Sequence, residues 1–412
     1  MWRGIMAAGI TGGYVLFDNA GRHKQAMTNP FTFGALARDE AFTNRESEVA
    51  EVASDMRNGQ DVLVYAPRRY GKSSLVLRAA EEAMRDNALV AYCDVMKTPT
   101  KERFAADLAR SIYEDVASPV GNALERAAEI FRGLRVRPTL ELDPDDATLS
   151  FSFRAAHEKT DIDDTIERLL ELPGELGAER KRRVVVIFDE FQEIVALDRH
   201  LPNVMRAVFQ TQPEVSHVYL GSKQHLLRRL FNDRNEPFWR SAKQVEVGPI
   251  APAAFAPFIR ERFAATDRRI DDAAVDGILS ATAGHPYATQ ELAYFVWELV
   301  PEGDAASITT VAEALENVLR SEHNHFAQLW DEAPLAQRQL MLALADEPAA
   351  AVYSADYHAR HELPANPTLQ TALAGLTKKE IAGREEGRAH RIVEPFFAEW
   401  LRRLGDRGVL RS

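Results

Sequence analysis

Ala66-Pro-Arg-Arg-Tyr-Gly-Lys-Ser73 follows the apolar run Val62 to Tyr65 and precedes a helix-like segment from Ser74 to Met84. The order is strand, loop, helix. A loop of this kind turns backbone N–H groups and a helix N-terminus toward anionic oxygens, which makes it a phosphate-binding turn. On that reading Pro67, Arg68, Arg69, Tyr70 and Gly71 shape the cradle, and Ser74 opens the helix. Lys72 reaches the β/γ-phosphates of a nucleotide and Ser73 holds Mg²⁺. Ala66 stands where G-x-x-x-x-G-K-[ST] has its first glycine, which the loop accepts provided that Ala66 keeps φ below zero.

Far downstream, Arg183-Val-Val-Val-Ile-Phe-Asp-Glu190 runs through five apolar residues into two carboxylates, followed by Phe191, Gln192 and Glu193. An unbroken, mostly β-branched run fits a strand buried on both faces of a parallel sheet. Its C-terminal end is where ligands bind in open α/β sheets. Asp189 therefore reads as a contributor to the Mg²⁺ shell, since that ion prefers oxygen ligands. Glu190 reads as the general base for an attacking water. Taken alone, the Asp-Glu pair reads sooner as an ordinary strand end with solvated charges, and the upstream loop is what gives it chemistry.

Composition narrows the setting. A chain of 412 residues exceeds what one core usually serves, so two or three domains are expected. The single cysteine, Cys93, excludes an internal disulfide framework, and its place in Leu89-Val-Ala-Tyr-Cys-Asp94 reads as strand packing. A net charge of −12 argues against non-specific nucleic-acid binding by the whole surface. Residues 1–27 contain an apolar, glycine-bearing stretch from Ile5 to Phe17 without a convincing cleavage site. They read as a flexible or spuriously translated extension, with Met27 as an alternative start. No other segment is apolar enough to span a bilayer, so a cytoplasmic protein without a membrane partner is expected.

From Asn29 the pattern is regular. Asn44 or Thr43 is expected to cap a helix whose first turn carries Glu46 and Glu48. Strand-like runs at Val62–Tyr65, Leu89–Asp94, Val184–Asp189, His217–Gly221 and Gln244–Val247 alternate with helical patterns, which implies α/β architecture with a parallel sheet. Between the second and third runs, Phe104 to Ile112 has helical spacing, and the polar stretch from Arg135 to Ser150 reads as a surface excursion.

Asn29-Pro-Phe-Thr-Phe-Gly34, Phe42-x-x-Arg45-Glu46-x-Glu48, the loop ending at Ser73 and the stretch from Val184 to Gln192 together resemble the archaeal-type ATPase family of P-loop proteins, grouped among AAA+-related and STAND-type NTPases. The likeness continues through Gly284-His-Pro286 to Val393-Glu-Pro-Phe-Phe-Ala-Glu-Trp400. It implies a P-loop NTPase parallel sheet of AAA+-like order, in which one strand is inserted between the loop strand and the Asp-Glu strand. It further implies that Arg45, His285 and Pro286 face the nucleotide, with Pro286 on adenine and His285 near a phosphate, although Gly284-His-Pro286 reads otherwise as a plain helix N-terminus with Pro near the first helical position. Ser222, with Lys223 beside it, matches the position of a γ-phosphate sensor, although a strand-to-helix cap explains it as well. Arg240, in Phe238-Trp-Arg240, matches an arginine finger; Arg228, Arg229 and Arg234 lie close in sequence.

After Pro249 the sequence reads as helices alone. Residues 251–333 are expected to form a helical lid on the ATPase core of residues 28–250, and residues 334–412 a winged-helix domain. In the last, helical patterns at Pro334–Ala345, Ser354–Glu362 and Asn366–Leu376, the third capped by Asn366, precede a two-stranded wing from Ile381 to Val393. That module carries eleven Lys/Arg against ten Asp/Glu, so it is less acidic than its host but not strongly basic. Thr368, Gln370 and Thr371 are placed to meet bases, and Lys378, Lys379, Arg384 and Arg388 to meet phosphates, if the partner is DNA; a protein partner stays equally open. The expected function is Mg²⁺-dependent ATP binding and hydrolysis in a homo-oligomer, with ATP or ADP governing assembly or a partner. The alternative is a slow, monomeric nucleotide switch.

Overall fold

The computed structural model describes residues 15–17, 23–25, 28–37, 41–117, 130–131, 134–135, 138–142, 149–153, 159–384 and 389–406. Of the extension expected at residues 1–27, the described part is an antiparallel pair, Val15–Phe17 with His23–Gln25; the remainder lies outside the described residues, as do Arg388 and residues 407–412.

Five parallel strands form the central sheet: β1 (Val62–Tyr65), β2 (Leu89–Asp94), β3 (Val184–Asp189), β4 (Val215–Gly221) and β5 (Lys243–Glu246). Their spatial order is β2-β3-β4-β1-β5, so β4 is inserted between the loop strand and the Asp-Glu strand. Alternation along the strands explains the continuous apolar runs. Leu63, Leu89, Ala91, Val184, Val186, Phe188 and Tyr219 join one cluster with helices α3 (Lys101–Ser111), α4 (Lys159–Arg180) and α5 (Leu201–Phe209). Val62, Val64, Val90, Val185, Ile187 and Leu220 are buried on the opposite face. A strand covered on both sides favours apolar residues until it ends, and the two polar residues inside β4, Ser216 and His217, are buried with the Gln60 carbonyl and Asp61 as partners.

Helices α1 (Glu46–Asn58) and α2 (Lys72–Arg85) pack against each other, and α6 (Gln224–Asn232) follows β4. Helix α1 does not begin as expected. Asn44 has φ 47° and the cap position falls to Arg45, whose side chain makes no capping bond. With Asn44 in the left-handed region, it precedes the cap instead of forming it. The stretch expected to be a surface excursion contains an antiparallel hairpin, Thr139–Leu142 with Leu149–Ser152, and Phe151 is buried among the core aromatics.

Contacts divide the chain into two units, one comprising Arg45–Ala66 and Lys72–Val247, the other containing Pro67–Gly71 and the chain from Gly248. The second unit holds α7 (Pro252–Ala264), α8 (Asp272–Thr282), α9 (Pro286–Leu299), α10 (Ile308–Asp331), α11 (Leu335–Asp346), α12 (Ala355–His361), α13 (Asn366–Lys378), the wing strands β6 (Ala382–Arg384) and β7 (His390–Ile392), and α14 (Pro395–Asp406). It is not purely helical before the wing, because Arg269–Ile270 pairs in parallel with Ala305–Ala306. Helix α13 is capped by Ala365, not by Asn366, which is already helical and is followed by Pro367 in the first turn. The helices and wing from Leu335 onward are those of a winged helix, with Leu340, Leu344, Leu369, Leu376, Phe397 and Leu401 in its core. No helix among the described residues is long and apolar enough to cross a membrane.

Candidate functional site

In the first unit the site grows from three strand ends. Strand β1 delivers Ala66, which is fully buried and absent from the residues with positive φ, as its methyl requires. Gly71, which belongs to the second unit, has φ 81°, and an added Cβ there would meet no atom within 4 Å, so its conformation and not crowding demands glycine. Helix α2 then starts at Lys72, two residues earlier than the apolar spacing suggested, with no acidic side chain in its first turn. Lys72 is 6% exposed and its ammonium donates to the Ala66 carbonyl at 3.1 Å. A buried cation beside unsatisfied helix N–H groups is a site for an anion.

Ser73 Oγ donates to Asp189 Oδ2 at 3.0 Å across 116 residues of sequence. The same oxygen accepts from Tyr92 Oη, and Asp189 Oδ1 accepts from the Glu190 amide at 2.9 Å. Burial pushes the Asp189 carboxyl above its usual range, against the pull of the Tyr92 and Ser73 donors. Burial likewise raises the Tyr92 hydroxyl, with the Asp189 charge adding to it, so Tyr92 stays a donor. Ser73 and Asp189 offer hard oxygens at one point, which fits Mg²⁺ better than a softer metal. Groups of three or more His, Cys, Asp or Glu able to hold a metal do not occur among the described residues.

Glu190 has φ 50°, a left-handed turn that swings its side chain off the strand. Its Oε2 accepts from Ser222 Oγ at 3.1 Å and from Gln192 Nε2. Gln192 can lie there because β4 ends in glycine: a Cβ on Gly221 would fall 2.1 Å from Gln192 Oε1. Lys223, beside Ser222, pairs with Glu193 at 2.6 Å. Thus Lys72, Ser73, Asp189, Glu190 and Ser222 come together. Arg45 is buried and pairs with Glu48 at 3.3 Å. Arg240, also left-handed at φ 50°, is exposed over the half-exposed Trp239 ring.

In the second unit the remaining loop residues have separate partners. Arg68 pairs with Glu380 at 3.1 Å; Arg69, at φ 65°, lies over the Tyr287 ring; and the buried Tyr70 hydroxyl accepts from Arg391 at 3.1 Å. The His285 ring stands edge-on to Tyr70 and its Nδ1 accepts from the Ala288 amide, so it caps α9, with Pro286 in the first turn. Burial, then Arg391 and Arg69, push the His285 imidazole down to about 3. It is therefore neutral and brings no charge to a phosphate. Thr368, Gln370, Thr371, Lys378, Lys379 and Arg384 are exposed along α13 and β6.

Sequence reasoning missed Tyr92, Gln192 as a partner of Glu190, and Glu291. The last is 2% exposed, and burial followed by Glu322 and Glu394 pushes its carboxyl up to about 8. Glu394, also desolvated, is pushed up to about 7, and Arg69 opposes both shifts. Folded Glu291 thus keeps a proton that the unfolded chain releases near pH 4.5, so its stabilising protonation is lost as pH rises from there toward 8. Glu291→Gln is expected to flatten this decline and to stabilise the protein at pH 8 by on the order of 3 kcal/mol. Thermal melts at pH 5.5 and 8 check it; parallel behaviour of variant and parent would contradict the assignment.

Residues 42–292 match a family model described as "ATPase domain predominantly from Archaea", and residues 324–403 match one described as "Probable winged helix domain". Among solved structures, the Walker-type ATPase PABY2304 of Pyrococcus abyssi is similar at 18% identity, over 89% of this chain and 97% of that one, with a TM-score of 0.62. Cdc6p from Pyrobaculum aerophilum, at 14% identity over 95% and 100% of the two chains, superposes only loosely, with a TM-score of 0.45. No curated protein matches the chain.

Proposed function

This chain belongs to the family of ATPase domains found predominantly in Archaea, and from that premise we propose that it hydrolyses ATP with Mg²⁺ between subunits, so that nucleotide state controls its assembly or its hold on a partner. The observation that carries this reading is the convergence of Lys72, Ser73, Asp189, Glu190 and Ser222 at the C-terminal ends of β1, β3 and β4. Backbone N–H groups from Arg68 to Ser74 receive the phosphates, and Lys72 faces the β/γ-phosphates. Ser73 and Asp189 would hold Mg²⁺, which would supply charge neutralisation on the phosphate oxygens.

Glu190 takes a proton from water as the water oxygen bonds to the γ-phosphorus and the bond to the bridging oxygen breaks, releasing ADP and phosphate. With Oε2 held by Ser222 and Gln192, Oε1 is the oxygen left to face that water. Ser222 links the γ-phosphate to Glu190, a sensor role that its hydrogen bond supports. Arg45, His285 and Pro286 are assigned to the nucleotide, with His285 confined to neutral hydrogen bonding.

Arg240 is assigned as a finger acting on the neighbouring subunit, which its exposure supports. Such a cation is worth roughly 10³–10⁵ in rate where it acts. Specific activity should therefore rise with protein concentration. Arg240→Ala should bind ATP yet hydrolyse it poorly, and mixing it with Lys72→Ala should restore part of the activity. Flat activity per subunit on dilution to a proven monomer, with Arg240→Ala unimpaired, would reject the assembly.

In that event the monomeric switch is the better reading. Its support is the Arg68–Glu380 pair and the Arg391–Tyr70 bond, through which the winged-helix region grips loop side chains. A switch of this kind retains ADP through purification and turns over slowly. The exposed cations Lys378, Lys379 and Arg384 suit a DNA backbone and a protein surface alike, and a salt-dependent DNA titration decides between them.

A further inference from the structure

Strand β2 reaches β3 with Tyr92 opposite Ile187 and Asp94 opposite Asp189. Tyr92 is therefore the diagonal neighbour of Asp189, two residues back on the adjacent strand and on the same face. Diagonal pairs lie within reach of an aromatic side chain but not of a short one. The phenol spans that gap, and its hydroxyl donates to Asp189 Oδ2. The ring is 9% exposed, and the Tyr92 carbonyl is itself held by Ser111 Oγ at 2.5 Å, so the donor sits on a fixed backbone.

Three donors thus fix the carboxylate: the Glu190 amide on Oδ1, and Ser73 and Tyr92 on Oδ2. Their origins differ. Ser73 is the hydroxyl assigned to Mg²⁺; it can donate its hydrogen to Asp189 while its oxygen faces the ion. The Glu190 amide belongs to the turn that carries the assigned base. Tyr92 alone comes from outside the assigned machinery, on the neighbouring strand, so its bond holds Asp189 independently of both.

We propose that Tyr92 is a positioning residue that orients Asp189 toward the metal, an inference that rests on the Mg²⁺ reading of Ser73 and Asp189. Partners that orient a metal-binding carboxylate typically carry 10- to 100-fold of metal affinity. The hydroxyl donates to Asp189 and to no residue assigned to the phosphates, so its loss should leave metal-free nucleotide binding unchanged.

The test measures binding of a fluorescent ADP analogue in EDTA and across a Mg²⁺ titration, without turnover. Tyr92→Phe removes one oxygen and preserves the ring; it is expected to raise the apparent Mg²⁺ dissociation constant about tenfold while the EDTA affinity stays within twofold. Tyr92→Leu, also without a donor, should shift the titration in the same direction. Combining Tyr92→Phe with Asp189→Asn should add nothing to Asp189→Asn alone, because the hydroxyl acts through that carboxylate. If Asp189→Asn shifts the titration and Tyr92→Phe superimposes on the parent, even with a lowered melting temperature, the hydroxyl serves packing only and the inference is overturned. If Asp189→Asn also superimposes, the Mg²⁺ reading of Asp189 fails instead.

Discussion

Lys72→Ala is expected to abolish ATP binding and hydrolysis together. The ammonium is buried at the start of α2, where the first turn carries no carboxylate to compete with a phosphate. Removing it deletes the charge that meets the β/γ-phosphates and leaves the loop with its backbone donors alone. Affinity should fall at least about 100-fold, which is roughly 2.7 kcal/mol. The fold should survive, because alanine favours a helix start no less than lysine does and the bond to the Ala66 carbonyl joins two residues six apart in sequence. Calorimetry with ATP decides the matter: affinity equal to the parent's would refute the phosphate-loop assignment.

Glu190→Gln is expected to separate binding from turnover. Glutamine keeps the length of the side chain and can still accept from Ser222 and Gln192 through its amide oxygen. It cannot take a proton from water. A general base contributes typically 10²–10⁴-fold, so the turnover rate should drop by that range while ATP affinity stays within about twofold. Single-turnover hydrolysis beside equilibrium ATP binding separates the two effects. Normal hydrolysis by the variant would move the base elsewhere in the site.

The α/β fold and the ends of its strands were legible because local rules and tertiary rules coincide there. Val184 to Phe188 is apolar throughout since both faces of β3 are covered, and the acidic residue that ends it, Asp189, is also buried but is held by the Ser73, Tyr92 and Glu190 donors. The loop was legible for a similar reason: Gly71 needs a positive φ, and Lys72-Ser73 follow it into a helix, all within a few residues. Reading failed where a choice depended on backbone conformation a residue or two away. Asn44 and Asn366 both carry a capping side chain, yet one lies before the cap and the other after it. Arg135 to Ser150 reads as solvated chain because it is polar and rich in Pro and Asp, while the hairpin that begins in it is secured by Phe151 beyond its end.

The strand, loop and helix from Val62 to Arg85, the strand that ends in Asp189 and the C-terminal winged helix can be read from the chain alone, since each is written in contiguous residues with a fixed period. Tertiary structure decided which residues answer one another. Tyr92 became a partner of Asp189 only through the register of β2 on β3, and Ser222 a partner of Glu190 only because β4 lies beside β3. Glu291 became an acid that stays protonated near neutrality only because folding buried it beside Glu322 and Glu394. Hydrogen bonding, desolvation and charge repulsion act over a few ångströms of space, and a linear chain does not display which of its distant residues will share them.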